Sequence, residues 1–130
     1  DSLPSAQKSG EPGSSLLNTA KGLEYSDNDP DFYRELLRLF TEEAPKSLER
    51  LSSALADNDL ELYTTLVHGL KNNARGIGAD SAGELCFEAE QTARAGNAAP
   101  LPELHLKIEQ AITEAAAEAA RLSEAEKITQ

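Results

Sequence analysis

In the stretch Leu66-Val67-His68-Gly69-Leu70-Lys71-Asn72-Asn73-Ala74-Arg75-Gly76-Ile77-Gly78, an imidazole, an ammonium and a guanidinium follow one another at helical spacing. At about 100° per residue, with Tyr63 set at zero, Leu66, Val67, Leu70, Ala74 and Ile77 all fall within about 60° of it, a core-facing stripe. On the same wheel His68 lands at roughly 140°, Lys71 at roughly 80°, Arg75 at roughly 120° and Asn72 at roughly 180°. The spacing predicts that His68, Lys71 and Arg75 share one wet face of an otherwise well-buried helix. A free imidazole titrates near about pH 6.5, so at neutral pH much of it is uncharged and nucleophilic. Lys71 stands three residues on, where side chains of one helix face meet, and Arg75 one turn beyond. Taken by itself, a lone exposed histidine is most often a solvated residue, and two cations on a helix are most often a solvated face.

The elements that must hold this helix can be read in order. Asp1 to Ser15 is rich in Ser, Gly, Pro and charge and reads as a flexible linker. Leu16-Leu17 followed by Gly22 would suit a short extra helix ending at a glycine C-cap. Asp29-Pro30 is a helix start, a capping carboxylate followed by proline at the first helical position. From there Phe32, Leu36, Phe40, Ala44, Leu48, Leu51 and Leu55 hold one stripe. Its phase survives Pro45, which predicts one long kinked helix. Asp57-Asn58-Asp59 is a turn, with Asp59 capping the histidine helix, which Gly76 and Gly78 end. Ser81-Ala82-Gly83-Glu84 has the form of a capping box. Behind it, Ala82, Leu85, Cys86, Ala89 and Ala93 form a stripe that Gly96-Asn97 stops. After Pro100-Leu101-Pro102, Leu101, Leu104, Ile108, Ile112, Ala115, Ala119 and Leu122 give the last helix. No segment alternates like a strand and no repeat appears. The expected fold is all-α, an antiparallel four-helix bundle over residues 16–128 behind a linker at 1–15.

The bulk numbers agree with one domain. Its 130 residues are 39% hydrophobic but only 5% aromatic, which suits Leu/Ala-rich helices better than a sandwich. A net charge of −11 argues against nucleic acid or an anionic membrane surface as partner. One cysteine, Cys86, excludes an internal disulfide framework and a Cys-based zinc site; its place on a stripe makes it core. No apolar run reaches the length of a transmembrane helix, and no signal peptide is visible. The chain opens with Asp rather than Met and reads as a piece of something longer, whose parent could be membrane-anchored.

His-x-Leu-Lys with a glycine ten positions after the histidine resembles the signature of histidine phosphotransfer (HPt) domains. Here it reads His68, Leu70, Lys71 and Gly78. Asp31-Phe32-Tyr33 through Phe40 resembles that family's preceding helix, and Leu85 to Gly96 its following one. One residue departs from the pattern: the family usually has glycine right after the lysine, where this chain has Asn72. The resemblance implies a phosphocarrier of a His-Asp phosphorelay, part of a hybrid sensor kinase or similar multidomain protein. His68 would take phosphoryl from a receiver-domain Asp as a phosphoramidate and hand it to another receiver. Lys71 would lie beside the phosphoryl oxygens as a point charge, and Arg75 would add a second. Glu90 or Gln91 lies where such domains often place a polar residue opposite the histidine, and Arg94 could approach the same face.

The implied domain is a cytoplasmic monomer that meets receivers and carries no cofactor of its own. No Gly-rich nucleotide loop and no acidic metal cluster stand beside His68, so Mg²⁺ and the remaining charges would come with the receiver. The rival expectation is a non-catalytic docking module that binds receivers without transfer, with Asn72 as the feature that favours it. His105 lies off the last helix's main stripe in this reading and is expected in water. The Glu-rich run from Thr113 to Lys127 is expected to be a solvated helix face.

Overall fold

The computed structural model describes residues 16–125, and among them every regular element is a helix. They are α1 (Thr19–Tyr25), α2 (Pro30–Ala56), α3 (Leu60–Gly76), α4 (Asp80–Arg94) and α5 (Leu101–Ser123). Helices α2 to α5 form the antiparallel four-helix bundle. Each packs on its neighbour in sequence, and α5 returns to close the ring on α2. The short α1 touches α2 and α3. Both the expected linker at residues 1–15 and the last part of the expected domain, to residue 128, lie outside the described residues.

Local chemistry starts these helices where the sequence says it should. Asp29 accepts from the backbone N–H of Asp31 at 3.1 Å and of Phe32 at 3.3 Å, with Pro30 opening α2. Asp59 accepts from Leu62 N–H at 3.1 Å at the head of α3. Each satisfies donors that a helix start leaves without intrahelical partners. Helix α2 runs unbroken through Pro45.

Two expected caps are placed differently. Helix α1 begins at Asn18, whose side chain accepts from Lys21 N–H, and runs past Gly22 to Tyr25. Gly22 is not a C-cap but a contact: a Cβ there would sit 2.5 Å from Tyr33 Cε1. Helix α4 begins at Asp80, with Ala79 in the cap position and no side-chain cap, so Ser81 to Glu84 form no capping box. The Asp80 carboxylate instead meets Lys21 Nζ at 3.2 Å, tying α1 to the α3–α4 turn. The same turn needs Gly78, whose φ is +89° and whose missing Cβ would meet Asn18 O at 2.2 Å.

The core corrects the stripes in two places. On α2 the first turns bury Tyr33 and Leu37, while Phe32 remains 48% exposed. The tyrosine wins because its ring fits against Gly22 and its hydroxyl donates to Ile77 O at 2.8 Å, a carbonyl left free where α3 ends. Burial, with the Glu118 charge, pushes the Tyr33 phenol up to about 12. On α5 His105 is 5% exposed, not solvated. Counted at about 100° per residue, it sits about 40° from Leu101 and about 60° from the centre of its stripe, on the edge next to Ile112. Its Nδ1 lies 3.1 Å from the Tyr63 hydroxyl of α3. Cys86 is in the core as expected, and burial pushes its thiol up to about 12.

Candidate functional site

Helices α3 and α4 are the most closely packed pair in the bundle, and the site forms along one edge of their contact. On α4, with Ala82 at zero, Cys86, Ala89 and Ala93 fall within about 40°, whereas Glu90 stands at about 80°. Lys71 stands at the same angle from the stripe of α3. Two edge positions on facing helices therefore meet where the bundle closes over them, and they carry opposite charges.

Glu90 is the centre of the cluster. Its residue is 2% exposed, yet three donors converge on its carboxylate. Lys71 Nζ lies 2.8 Å from Oε1, while His68 Nδ1 at 2.7 Å and Arg94 Nη2 at 2.8 Å share Oε2. Burial works to raise the Glu90 pKa, but the hydrogen bonds from Lys71 and His68 and their charges outweigh it, holding the carboxyl below its ordinary range. Glu90 is thus an ionised acceptor at neutral pH.

An ionised carboxylate can only accept, so the ring nitrogen facing it must carry the proton. In the neutral form of the ring this places the N–H at Nδ1 and the lone pair at Nε2. The ring is held from behind and open in front, with 51% of the His68 side chain exposed. One further group touches it: the Asn72 carboxamide, whose Nδ2 lies 3.3 Å from His68 Nε2.

The residues picked out by spacing are therefore sorted into two groups. His68 is on the wet face as expected. Lys71 is not: it is 8% exposed and bound to Glu90, because its edge position is covered by α4. Of the pair Glu90 and Gln91, Glu90 faces the histidine; Gln91 is exposed. Arg94 does reach the cluster from α4, with 57% of its side chain still exposed. Arg75 turns elsewhere, to Glu84 at 3.3 Å, with its Cζ 5.7 Å from the Phe87 ring. The same ring lies 5.5 Å from Lys71 Nζ. Spacing does not single out Phe87, since an exposed aromatic beside two cations leaves no periodic signal. Glu90 could have been chosen over Gln91 by its angle alone. Among the described residues, no group of three or more His, Cys, Asp or Glu is placed to hold a metal ion.

No curated protein matches the chain. Among solved structures it is similar to histidine-containing phosphotransfer protein B from Pseudomonas aeruginosa, at 22% identity and a TM-score of 0.77, covering 85% of this chain and 96% of that one. It is also similar to the HPT domain of a sensor hybrid histidine kinase from Shewanella, at 20% identity and a TM-score of 0.77, covering 86% and 97%. These likenesses show a shared fold. The Hpt domain family model matches residues 35–118, a stretch that contains His68, Lys71, Glu90 and Arg94. The chain belongs to the Hpt family and is a histidine phosphotransfer module of His-Asp phosphorelays.

Proposed function

We propose that His68 is the phosphoryl carrier of this module, taking the group from an aspartyl phosphate on one receiver and passing it to the aspartate of another. The observation that carries this reading is the 2.7 Å contact between His68 Nδ1 and the buried Glu90 carboxylate. It fixes the tautomer whose free lone pair points outward, as a nucleophile requires.

In the forward step Nε2 attacks phosphorus, an N–P bond forms, and the P–O bond to the receiver's carboxylate breaks, returning that aspartate as an anion. The ring becomes a phosphoimidazolium with its Nδ1 proton still held by Glu90, which offsets the positive charge. In the return step an incoming carboxylate oxygen attacks phosphorus, the N–P bond breaks, and the neutral ring is restored. Both directions use one geometry, as a carrier needs. Lys71 offsets the Glu90 charge inside the bundle, and Arg94, exposed on the same carboxylate oxygen, supplies the outer positive charge near the phosphoryl group. Arg75, with Phe87 beside it, contributes to the charged surface that a receiver meets. Mg²⁺ and the remaining charges around the transferring group belong to the receiver.

In this reading a receiver docks on the apolar groove beside His68. A groove of about 310 Å³ between α2 and α3, lined by Leu36, Leu39, Phe40, Leu70, Asn72 and Ile77, opens one helical turn from His68. The net charge of −11 favours a protein partner over nucleic acid or an anionic bilayer. No helix among the described residues is long and apolar enough to cross a membrane. In this reading the domain works as a monomer in the cytoplasm, a carrier rather than a kinase, and its parent is a hybrid sensor kinase or similar multidomain protein. Incubation with a phosphorylated receiver, followed by detection of acid-labile, alkali-stable phosphate, tests it. Label on wild type and none on His68→Gln is the expected result. Equal label on both would refute the assignment, and receiver binding without label would instead identify a docking module.

A further inference from the structure

The residue one helical turn beyond the histidine borders two things at once. Asn72 Nδ2 lies 3.3 Å from His68 Nε2, and the same side chain lines the groove between α2 and α3. Because the Nδ1–H donates to Glu90, the neutral ring presents its lone pair at Nε2. Only the N–H end of a carboxamide can bond to it; the carbonyl end would repel it, which settles the orientation of the amide. The atom that must attack phosphorus is thus already engaged as a hydrogen-bond acceptor. A glycine here, as in the family's usual pattern, would leave Nε2 to water alone.

We propose that Asn72 is a latch on the nucleophile: its carboxamide covers the His68 Nε2 lone pair in the free domain and is drawn away when a receiver fills the adjacent groove. A lone pair shared with an N–H is less available, and that bond must break before phosphorus can approach in line with it. A docked partner displaces the amide through the groove it also lines. A small phosphodonor has no contact with the groove and meets the covered ring. The latch therefore favours receivers over free small-molecule phosphodonors, and Asn72 acts as a positioning residue that sets which donors are used. This inference rests on the reading of His68 as the phosphoryl acceptor.

The test compares wild type with Asn72→Ala, which removes donor and bulk, and Asn72→Leu, which keeps the bulk without the donor. Asn72 is exposed, so both variants should fold as wild type does. Phosphorylation rates are measured with phosphoramidate and with a phosphorylated receiver, and ¹⁵N NMR at neutral pH reads the two ring nitrogens. Expected are a phosphoramidate rate about two- to tenfold higher in Asn72→Ala, the loss of one neutral hydrogen bond, with the receiver rate changed less than that. The Nε2 resonance should move in both variants while Nδ1 stays protonated. An unmoved Nε2 resonance overturns the latch, as does an equal rate factor for both donors. A slower phosphoramidate reaction in Asn72→Ala overturns it too. If wild type takes phosphate from neither donor, the acceptor reading of His68 has failed instead, and the Nε2 resonance still decides whether the hydrogen bond exists.

Discussion

The chain has two histidines, and each sits near a glutamate and a helix–helix contact, yet the bundle makes opposite things of them. His68 keeps half of its side chain in water and turns Nδ1 to a carboxylate that is itself buried and triply bonded. His105 is 5% exposed, with Nδ1 at the Tyr63 hydroxyl, 3.1 Å away, and the two rings in an edge-on arrangement 6.0 Å apart. Its Nε2 is buried without a hydrogen-bond partner, 3.5 Å from Glu109 Oε2. One histidine has its supporting partner inside and its Nε2 edge outside. The other has both nitrogens inside, where nothing can approach. Which edge of each ring faces water is set by where its partner is buried, and in the proposed reading that difference separates the carrier from the core histidine.

The largest expected effect breaks the first half of that comparison. His68→Gln should abolish phosphoryl acceptance, while thermal melting stays within about 1 kcal/mol of wild type, because the ring is half exposed. A collapsed fold would mean that His68 belongs with His105. Next comes Glu90→Leu, which strands Lys71 beside an apolar side chain. Breaking a buried ion pair by removing one partner costs about 3 kcal/mol at the lower end, and the long lysine stem, able to carry its charge outward, argues for that end. Adding Lys71→Met should recover most of the lost stability without restoring fast transfer; chemical denaturation of the single and double variants gives the coupling. Full recovery of transfer in the double variant would show that the carboxylate does not position the ring.

A smaller effect is expected at the second histidine. Tyr63→Phe removes the one hydrogen bond that His105 makes and should cost about 1–2 kcal/mol, with phosphotransfer unchanged. A transfer defect in this variant would couple the two histidines and end the contrast. The smallest effect is in the acid limb of stability. Glu90 is held below the ordinary carboxylate range, so the stability it contributes is complete above that range and is lost as pH falls through its lowered value. The stability gap between wild type and Glu90→Gln should therefore narrow from about pH 7 to about pH 3. A gap that widens in acid would mean that Glu90 is protonated in the folded state.

Much of the fold was open to one-dimensional reading because its signals are local. Asp29-Pro30 and Asp59 cap helices through bonds that span two or three residues, and the stripes of α3 and α4 repeat at the helical period. Signals failed where a neighbour outvoted them. Phe32 lost its place to Tyr33 because Gly22, on another helix, leaves a slot for the tyrosine ring. Ser81 to Glu84 had the letters of a capping box, but the Gly78 turn starts α4 at Asp80 before those residues are reached. His105 holds an edge position on its helix, and its burial was decided by Tyr63 of α3 packing against that edge.

The site divides along the same line. His68, its wet face, the spacing to Lys71 and the departure at Asn72 are properties of one helix, so the sequence determined them. Which residue supports the ring was decided by packing: Glu90 and Lys71 occupy edge positions that are half wet on isolated helices and become buried only when α3 and α4 close. That closure converts a lysine expected in water into the internal counter-charge of a buried carboxylate. It also brings Arg94, 26 residues away from His68 along the chain, to the shared carboxylate in place of Arg75. Charges so far apart in sequence interact only through the distances the bundle imposes, and in a closing interface a few ångströms decide whether water or a partner satisfies them.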